Sequence, residues 1–174
     1  MGATLAGPIE VEALAAAEAI EDIGDDEGAD DVEDAAAASR RAHPAVSILV
    51  RHEARVRTAF ARQDLEAALS ILLENAAFAV GQGQGTGILI TVDAPSGTPR
   101  ITVDDDGLGM DEITLSRAGE PFFSTKHEHQ GMGLGLFVVK SLLRELGGSL
   151  RIEPRALRGV RVTLELPKCV ESPS

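Results

Sequence analysis

Residues 104–110, DDDGLGM, contain three consecutive aspartates followed by two glycines. Three successive acidic residues at the end of a predicted strand are more typical of a solvated turn than of a site. Asp105, however, is followed by Gly107 and Gly109, and glycine permits positive φ and a close approach of the backbone to a ligand. A buried Asp105 carboxylate could accept a hydrogen bond from the exocyclic amine of adenine, which guanine does not offer at the equivalent position. Asp105 is thus a candidate for selecting a base, without a catalytic role.

A second candidate segment, GEPFFSTKHEHQGMGLGLF, joins a polar loop to glycines at alternate positions. Gly131, Gly133 and Gly135 precede a predicted helix, whose unpaired N–H groups and dipole favour a phosphate. The loop STKHEHQ could close over a nucleotide, and we expect Phe122 and Phe123 to anchor the base of this loop in the core. The phosphate-loop motif GxxxxGKS/T does not occur in the chain. GMGLGL is also not a GxGxxG fingerprint, because its third glycine comes one residue early and a polar loop, not a strand, precedes it.

Asn75 lies within an otherwise apolar helical stretch, LLENAAFA. An amide in such a position is either a satisfied polar group in the core or a ligand, and the residues alone favour the core. Its carbonyl oxygen would nevertheless suit Mg²⁺, a hard cation that keeps several waters and takes few protein ligands. His127 and His129 in the polar loop could bind a metal, but no further ligands are evident beside them, so we interpret them as solvated.

The elements predicted around these segments form a sheet with helices. AVSILVRHE and RVRTAFA alternate apolar and polar residues and predict a β-hairpin, and Asp64 is the predicted N-cap of the helix that contains Asn75. Strands follow at GILITVDA and RITVDD, then the helix LFVVKSLLREL, and a last pair of strands at SLRIEP and GVRVTLELP. This order predicts an α/β protein of the α+β two-layer type, with a mixed β-sheet covered on one face by helices.

Charge is distributed unevenly along the chain. The net charge is −12, yet twelve carboxylates lie between Glu10 and Asp34 with no Lys or Arg before Arg40, and the remainder balances 16 acidic against 16 basic residues. We interpret residues 1–42 as an acidic, alanine-rich linker or partly disordered tail, residues 43–168 as the folded domain, and residues 169–174 as a C-terminal tail. VEALAAAEAI and VEDAAAASRR could form helices that GDDEG interrupts. The acidity disfavours nucleic acid as a partner.

Other features bear on location. Cys169 is the single cysteine, which excludes an intramolecular disulfide and fits a reducing compartment. The N-terminus has no basic region before an apolar stretch, and no apolar run approaches the roughly 20 residues needed to cross a bilayer. We expect a cytoplasmic segment that makes no membrane contact, either by itself or as part of a larger membrane-bound chain.

Five segments, in this order, resemble a known family. LLENA around Asn75, DDDGLG around Asp105, EPFFSTK, GMGLGLFVVK and GVRVTLELP match the N, G1, F, G2 and G3 boxes of the ATP-binding catalytic domain of bacterial sensor histidine kinases. That domain belongs to the GHKL superfamily with gyrase, Hsp90 and MutL, and the match covers residues 45–167. The resemblance implies a Bergerat-type ATP-binding fold and a role in two-component signal transduction.

The resemblance also implies a role for each matched residue. Asn75 would coordinate the Mg²⁺ that bridges the ATP phosphates, and Asp105 would bind the adenine N6 amine. Lys126 is a candidate phosphate contact and, with Asn75, a candidate catalytic residue. The other implied nucleotide-binding residues shape the base pocket, hinge the lid over ATP, or bring the lid and the following helix to the phosphates: Gly107, Gly109, Phe122, Phe123, Gly131, Gly133, Gly135 and Leu136.

The chain departs from the family pattern at three positions. Ile71 stands where the kinases carry another Asn and gyrase-like ATPases a catalytic Glu, so we expect weak ATP hydrolysis by the isolated chain. Phe78 replaces a basic residue, and Val160 replaces a Thr at the rim of the pocket. A phosphoaccepting histidine is also missing: His52 lies only 23 residues before Asn75, on a predicted strand, which leaves no room for a helical hairpin.

These features imply a catalytic domain that acts on a separate acceptor. We expect the chain to bind Mg-ATP and to present the γ-phosphate to a histidine on a helical hairpin of the same or a partner kinase chain, with a response regulator downstream. Because that hairpin is normally the dimerisation element, we expect a monomer in isolation. The alternatives are a nucleotide-binding module without kinase activity and an anti-sigma-type serine kinase, and the phenylalanine box and GLGLF disfavour the latter.

Overall fold

The computed structural model describes residues 27–125 and 132–168, which form one mixed β-sheet with helices packed against it. The strands are β1 (Ser47–His52), β2 (Gly87–Asp93), β3 (Arg100–Asp105), β4 (Ser149–Pro154) and β5 (Val160–Glu165). The helices are α1 (Glu27–Ala42), α2 (Arg62–Gln82), α3 (Glu112–Arg117) and α4 (Gly135–Glu145), and a 3-10 turn spans Pro95–Gly97. The strand order is β1-β2-β3-β5-β4, with β1 and β2 parallel and the other neighbours antiparallel. The predicted fold class is confirmed.

The core lies between the sheet and α2. Buried residues of α2 recur at intervals of three and four, which places them on one side of the helix: Leu65, Ala68, Leu69, Leu72, Leu73, Ala76, Ala77 and Val80. Alternate residues of β2, namely Ile88, Ile90 and Val92, join them in one hydrophobic cluster, because successive side chains of a strand point to opposite faces. Among the described residues, no helix combines the length and the apolar character that a membrane span requires.

α2 begins at Arg62, earlier than an N-cap at Asp64 would allow. Its N-cap is Ala61, which makes no side-chain capping hydrogen bond, so the predicted N-cap is wrong. Asp64 lies instead in the first turn, where a carboxylate interacts favourably with the helix dipole. The acidic residue therefore marks the start of the helix without capping it.

The predicted β-hairpin between residues 45 and 61 is wrong. β1 pairs with β2 in parallel register, and residues 55–61 contain no strand; within them, Thr58 forms an isolated bridge with Lys168. The alternation in RVRTAFA has a different cause: Val56 and Phe60 are buried in the core, and the Thr58 hydroxyl donates to the Pro167 carbonyl oxygen at 2.8 Å. The two apolar residues anchor this loop in the core, and Thr58 ties it to Pro167.

Residues 27–42 belong to the packed structure. Val32 and Ala36, one helical turn apart on α1, are fully buried against the core. Asp31 is also buried and lies 3.1 Å from the Arg62 guanidinium, while Arg40 Nε donates to the Ile48 carbonyl oxygen at 2.9 Å. For this segment the interpretation as a solvated linker is wrong, and the helical alternative for VEDAAAASRR is correct. Residues 1–26 and 169–174 lie outside the described residues.

A matched pair of substitutions tests the packing of α1. We expect Val32→Asp to lower the free energy of unfolding by about 3 kcal/mol, because it places an unpaired charge at a fully buried position. Ala38→Asp introduces the same residue at an exposed position of the same helix and should change the free energy of unfolding far less. Urea denaturation followed by circular dichroism measures both, and equal effects would mean that α1 does not contribute to the core.

Candidate functional site

A cavity of about 480 Å³ opens between α2, the segment after β3 and the start of α4. One side of α2 supplies Ser70, Ile71, Glu74, Asn75, Phe78, Ala79 and Gln82, and the segment after β3 supplies Leu108, Gly109 and Met110. The remaining wall includes Phe123, Met132, Gly133, Gly135 and Leu136. Six of the sequence-predicted site residues therefore line one cavity: Asn75, Gly109, Phe123, Gly133, Gly135 and Leu136.

The other predicted residues lie elsewhere. Within the described ranges, the cavity wall does not include Asp105, Gly107 or Phe122. Lys126 and Gly131, like His127 and His129, lie outside the described residues.

The three aspartates at the end of β3 are buried, so the solvated-turn interpretation does not hold. Asp104 forms a two-point ion pair with Arg161, at 2.7 and 2.8 Å. The Asp106 carboxylate accepts from the backbone N–H groups of Thr86 and Gly87, at 2.8 and 2.9 Å, and from the Thr86 hydroxyl. Each of these two carboxylates thus ties the end of β3 to a different segment of the chain.

Asp105 has the most perturbed environment of the three. Burial raises its pKa to about 6, against the opposing effects of backbone N–H groups from Gly107 and Val160 and of the Arg155 guanidinium. The Gly107 N–H donates to Oδ1 at 2.9 Å. At neutral pH the carboxylate is therefore largely ionised, and it can accept further hydrogen bonds, since a carboxylate offers about four acceptor positions.

Gly107 explains how the segment after β3 meets α2. A Cβ atom at this position would overlap the backbone of Ala79 on α2, so only glycine allows the two segments to come so close. The adjacent Leu108 N–H donates to the Ala79 carbonyl oxygen at 3.0 Å. Gly107 therefore docks the turn on α2, and Gly109 continues it into the cavity wall.

The two phenylalanines have different environments. Phe122 is 78% exposed and has a positive φ of 65°, so the expectation that it anchors the loop in the core is wrong. Phe123 is half-buried, lines the cavity and lies 4.1 Å from the Arg117 guanidinium in a cation–π contact. A Cβ on Gly133 would lie 2.6 Å from the Phe123 carbonyl oxygen, so the two sides of the loop approach closely here.

The N-terminus of α4 forms one end of the cavity. Its N-cap, Leu134, makes no side-chain capping hydrogen bond. Gly135, the first helical residue, lies on the cavity wall, and a Cβ there would come within 2.9 Å of Ile71 Cγ2. Open N–H groups and the helix dipole make such an end suitable for a phosphate.

The comparisons with known proteins agree with this geometry. Residues 61–169 match the family described as histidine kinase-, DNA gyrase B-, and HSP90-like ATPase. The chain belongs to this family. ATP binding follows from the membership.

The relatives that match this ATPase domain include two-component sensors. The chain is 41% identical over 96 residues to sensor histidine kinase ZraS of Salmonella typhi, and the match covers 53% of the chain and 19% of ZraS. It is 34% identical over 97 residues to sporulation kinase A of Bacillus subtilis, covering 56% of the chain and 15% of that kinase. The chain therefore spans a small part of these relatives' length.

A solved structure confirms the fold. The mycobacterial sensor histidine kinase MprB superimposes with a TM-score of 0.70 at 22% identity, covering 80% of this chain and 94% of that one.

Two departures from the family pattern line the cavity itself. Ile71 presents an apolar side chain to the start of α4, and Phe78 lies one helical turn after Asn75. The third, Val160, is buried, and its backbone N–H lowers the pKa of Asp105.

Sequence reasoning missed several residues of the cavity wall. Ser70, Glu74 and Gln82 share the α2 face of Asn75, and the helical period around Asn75 was the signal that could have identified them. No cluster of three or more His, Cys, Asp or Glu that could hold a metal exists within residues 27–125 and 132–168. A divalent cation would take most of its ligands from a nucleotide and water, and the Asn75 carbonyl oxygen fits that way of binding Mg²⁺.

The raised pKa of Asp105 predicts an unusual effect of pH on stability. Between about pH 4 and 6 the folded chain holds a proton that the unfolded chain has released, so this residue's contribution to stability falls as pH rises, by about 3 kcal/mol in all. Asp105→Asn removes the titration. The unfolding free energy of the variant should therefore rise relative to the parent chain across this interval and stay level above it.

Urea denaturation of both proteins at matched pH values measures this difference. A difference that does not vary with pH would contradict the prediction.

Proposed function

We propose that this domain binds Mg-ATP and presents the γ-phosphate to a histidine on a separate helical hairpin. The observation that carries the proposal is the shared cavity, which has Asn75 on one wall and the uncapped N-terminus of α4 on another. Such an arrangement holds and orients a phosphate chain. Phosphoryl transfer requires little covalent chemistry from the protein beyond positioning and neutralisation of charge.

The residues divide the work as follows. The α4 N–H groups hold the phosphates, and Asn75 offers its carbonyl oxygen to the cation. Mg²⁺, when bound, neutralises the phosphate charge. Lys126 keeps its predicted role as a phosphate contact.

Asp105 selects the base in this proposal. Its carboxylate is largely ionised at neutral pH and retains acceptor capacity for the adenine amine. The turn that begins with Gly107 leads from Asp105 to the cavity wall at Gly109, so the base would bind at this end, away from α4.

The proposal includes slow hydrolysis of bound ATP, because of the residue at position 71 of the cavity wall. Ile71 occupies the position from which a carboxylate or amide could orient water, and its apolar side chain packs against the start of α4. A bound nucleotide would therefore be kept for an acceptor histidine rather than lost to water.

The proposed phosphate transfer requires two protein partners. The acceptor is the helical hairpin of the same or a partner kinase chain, and a response regulator receives the phosphoryl group from it. We infer a cytoplasmic domain that is monomeric in isolation.

Nucleotide titration tests the first step. We expect calorimetry to give micromolar to sub-millimolar ATP affinity in Mg²⁺, no binding of GTP, and a loss of about tenfold or more in ATP affinity for Asp105→Asn, as for one hydrogen bond to a charged group. Binding of ATP and GTP with equal affinity would contradict the role of Asp105. Absence of binding by the folded protein would contradict the proposed function itself.

Phosphoryl transfer tests the second step. With labelled ATP, we expect acid-labile, base-stable phosphohistidine on a supplied acceptor hairpin, and none on a hairpin whose histidine is replaced by Gln. Hairpins from several related kinases should be supplied, because any one of them could fail to bind this domain. Each hairpin is also tested with its own catalytic domain, to show that it accepts phosphate.

The second candidate function is a nucleotide-binding module without kinase activity, which the apolar wall at Ile71 and Phe78 favours. ATP binding without transfer to any hairpin would support this alternative.

A further inference from the structure

The loop between β4 and β5, residues 155–159, lies against the end of β3. The Arg155 Nη1 atom donates to the Asp105 carbonyl oxygen at 2.9 Å. Arg158 Nε donates to the Asp106 carbonyl oxygen at 2.6 Å. The loop itself is closed by a hydrogen bond from the Arg155 N–H to the Gly159 carbonyl oxygen. Two arginines from one short loop thus hold two consecutive peptide groups.

These hydrogen bonds replace pairing that the sheet does not supply. The ladder between β3 and β5 ends at Asp104, opposite Arg161. The next two carbonyl oxygens, of Asp105 at the end of β3 and of Asp106 just after it, accept hydrogen bonds from the two arginine side chains. A Cβ on Gly159 would overlap the Asp105 carbonyl oxygen, so the loop packs directly on the peptide that it holds.

Burying the guanidinium groups of two arginines is energetically unfavourable, and two carbonyl groups alone are a small gain in return. Arg155 has a side chain only 10% exposed, and its Nε lies 3.7 Å from the Asp104 carboxylate. Arg158 Nη2 is buried and has no hydrogen-bond partner among the described residues. A buried donor without an acceptor opposes folding, so stability alone does not account for an arginine at this position.

We propose that Arg155 and Arg158 are positioning residues for nucleotide binding, which hold the main chain at residues 105–106 and thereby set the direction of the Asp105 carboxylate. The same contacts fix the start of the turn that reaches the cavity at Gly109. The inference rests on the proposed role of Asp105 as the group that binds adenine. It adds the β4–β5 loop, which does not line the cavity within the described residues, to the elements that determine nucleotide affinity.

The two arginines differ in their electrostatic effect. The charged groups around Asp105 are the carboxylates of Asp104 and Asp106 and the guanidinium groups of three arginines: Arg155, Arg158 and Arg161. Asp104 is paired with Arg161, and Asp106 accepts from backbone and hydroxyl groups. Arg155 is the cation that lowers the pKa of Asp105. Removing it should change both the position and the ionisation of the carboxylate, whereas removing Arg158 should change the position.

The test is calorimetric titration of ATP in Mg²⁺ between about pH 5.5 and 8, using the full chain and four variants. We expect Arg155→Met to weaken ATP binding by about tenfold at pH 7.5 and to move the acidic fall in affinity to higher pH. Arg158→Met should weaken binding without moving that fall. Arg155→Lys keeps a charge and a donor and should recover most of the affinity.

Arg151→Met is the matched control, because Arg151 is an exposed arginine on β4 of the same hairpin. It should leave ATP affinity unchanged at every pH. Hydrogen exchange of the Gly107 and Leu108 amides in the ATP-free proteins gives a second readout, which should be faster in Arg155→Met and Arg158→Met than in Arg151→Met. This readout and Arg155→Lys keep the test decisive if one methionine variant folds poorly.

The outcomes separate the positioning role from the proposed function. If the parent chain binds ATP and Arg155→Met and Arg158→Met bind it equally well at every pH, the positioning role is wrong and the proposed function stands. If the folded parent chain binds no ATP at any pH, both are wrong. A third outcome is that both methionine variants bind ATP more weakly but the pH profile of Arg155→Met does not move. The positioning role would then stand, and the electrostatic effect of Arg155 on Asp105 would be wrong.

Discussion

The structure depends on the burial of three consecutive carboxylates at the end of β3. Burying a charge is unfavourable unless it is paired or hydrogen-bonded, and each of the three carboxylates has different partners. Asp104 pairs with β5 through Arg161, Asp106 accepts from the segment that leads from α2 to β2, and Asp105 accepts from the turn that follows it. These requirements bring four parts of the chain to one point. From this point the turn after Asp105 continues into the cavity wall, which it joins at Leu108 and Gly109.

α2 is the second element on which both fold and site depend. Its 21 residues provide a continuous apolar side for the core, and its other side carries the cavity residues, both polar and apolar. The turn after β3 docks on this helix through Gly107, and α4 meets it where Ile71 contacts Gly135. A change in the core side of α2 therefore alters the cavity as well, since one rigid helix connects them.

Much of this arrangement could be predicted from the sequence, and the failures have identifiable causes. The helix α2 and the strand β2 were both predicted, because each gives a signal in the local sequence. The parallel pairing of β1 with β2 is a contact between residues about 40 positions apart, and nothing in the alternation of RVRTAFA distinguishes it from a hairpin strand. The acidic composition concealed the packing of α1 against the core, although Val32 and Ala36 carry the spacing of a buried helical stripe.

The candidate site was predicted by residue type more successfully than by environment. Asn75 and the glycines before α4 do line one cavity, but the exposure of Phe122 and the burial of all three aspartates depend on tertiary contacts that no local pattern encodes. The residues from the β4–β5 loop were not identified, because Arg155 and Arg158 act on main-chain carbonyl groups and leave no side-chain motif.

We propose that the departures from the family pattern change how phosphate transfer competes with hydrolysis. Ile71 brings an apolar group to the end of the cavity where the α4 N–H groups are open, so a phosphate bound there would have no neighbouring side chain at that position to activate water. Phe78 extends the apolar wall on the same face of α2. Under the proposed function, positioning by α4 and Asn75 is retained, while the side chain at position 71 is unable to orient water. A domain of this kind depends on its acceptor for turnover, which is the property that a kinase coupled to a separate histidine requires.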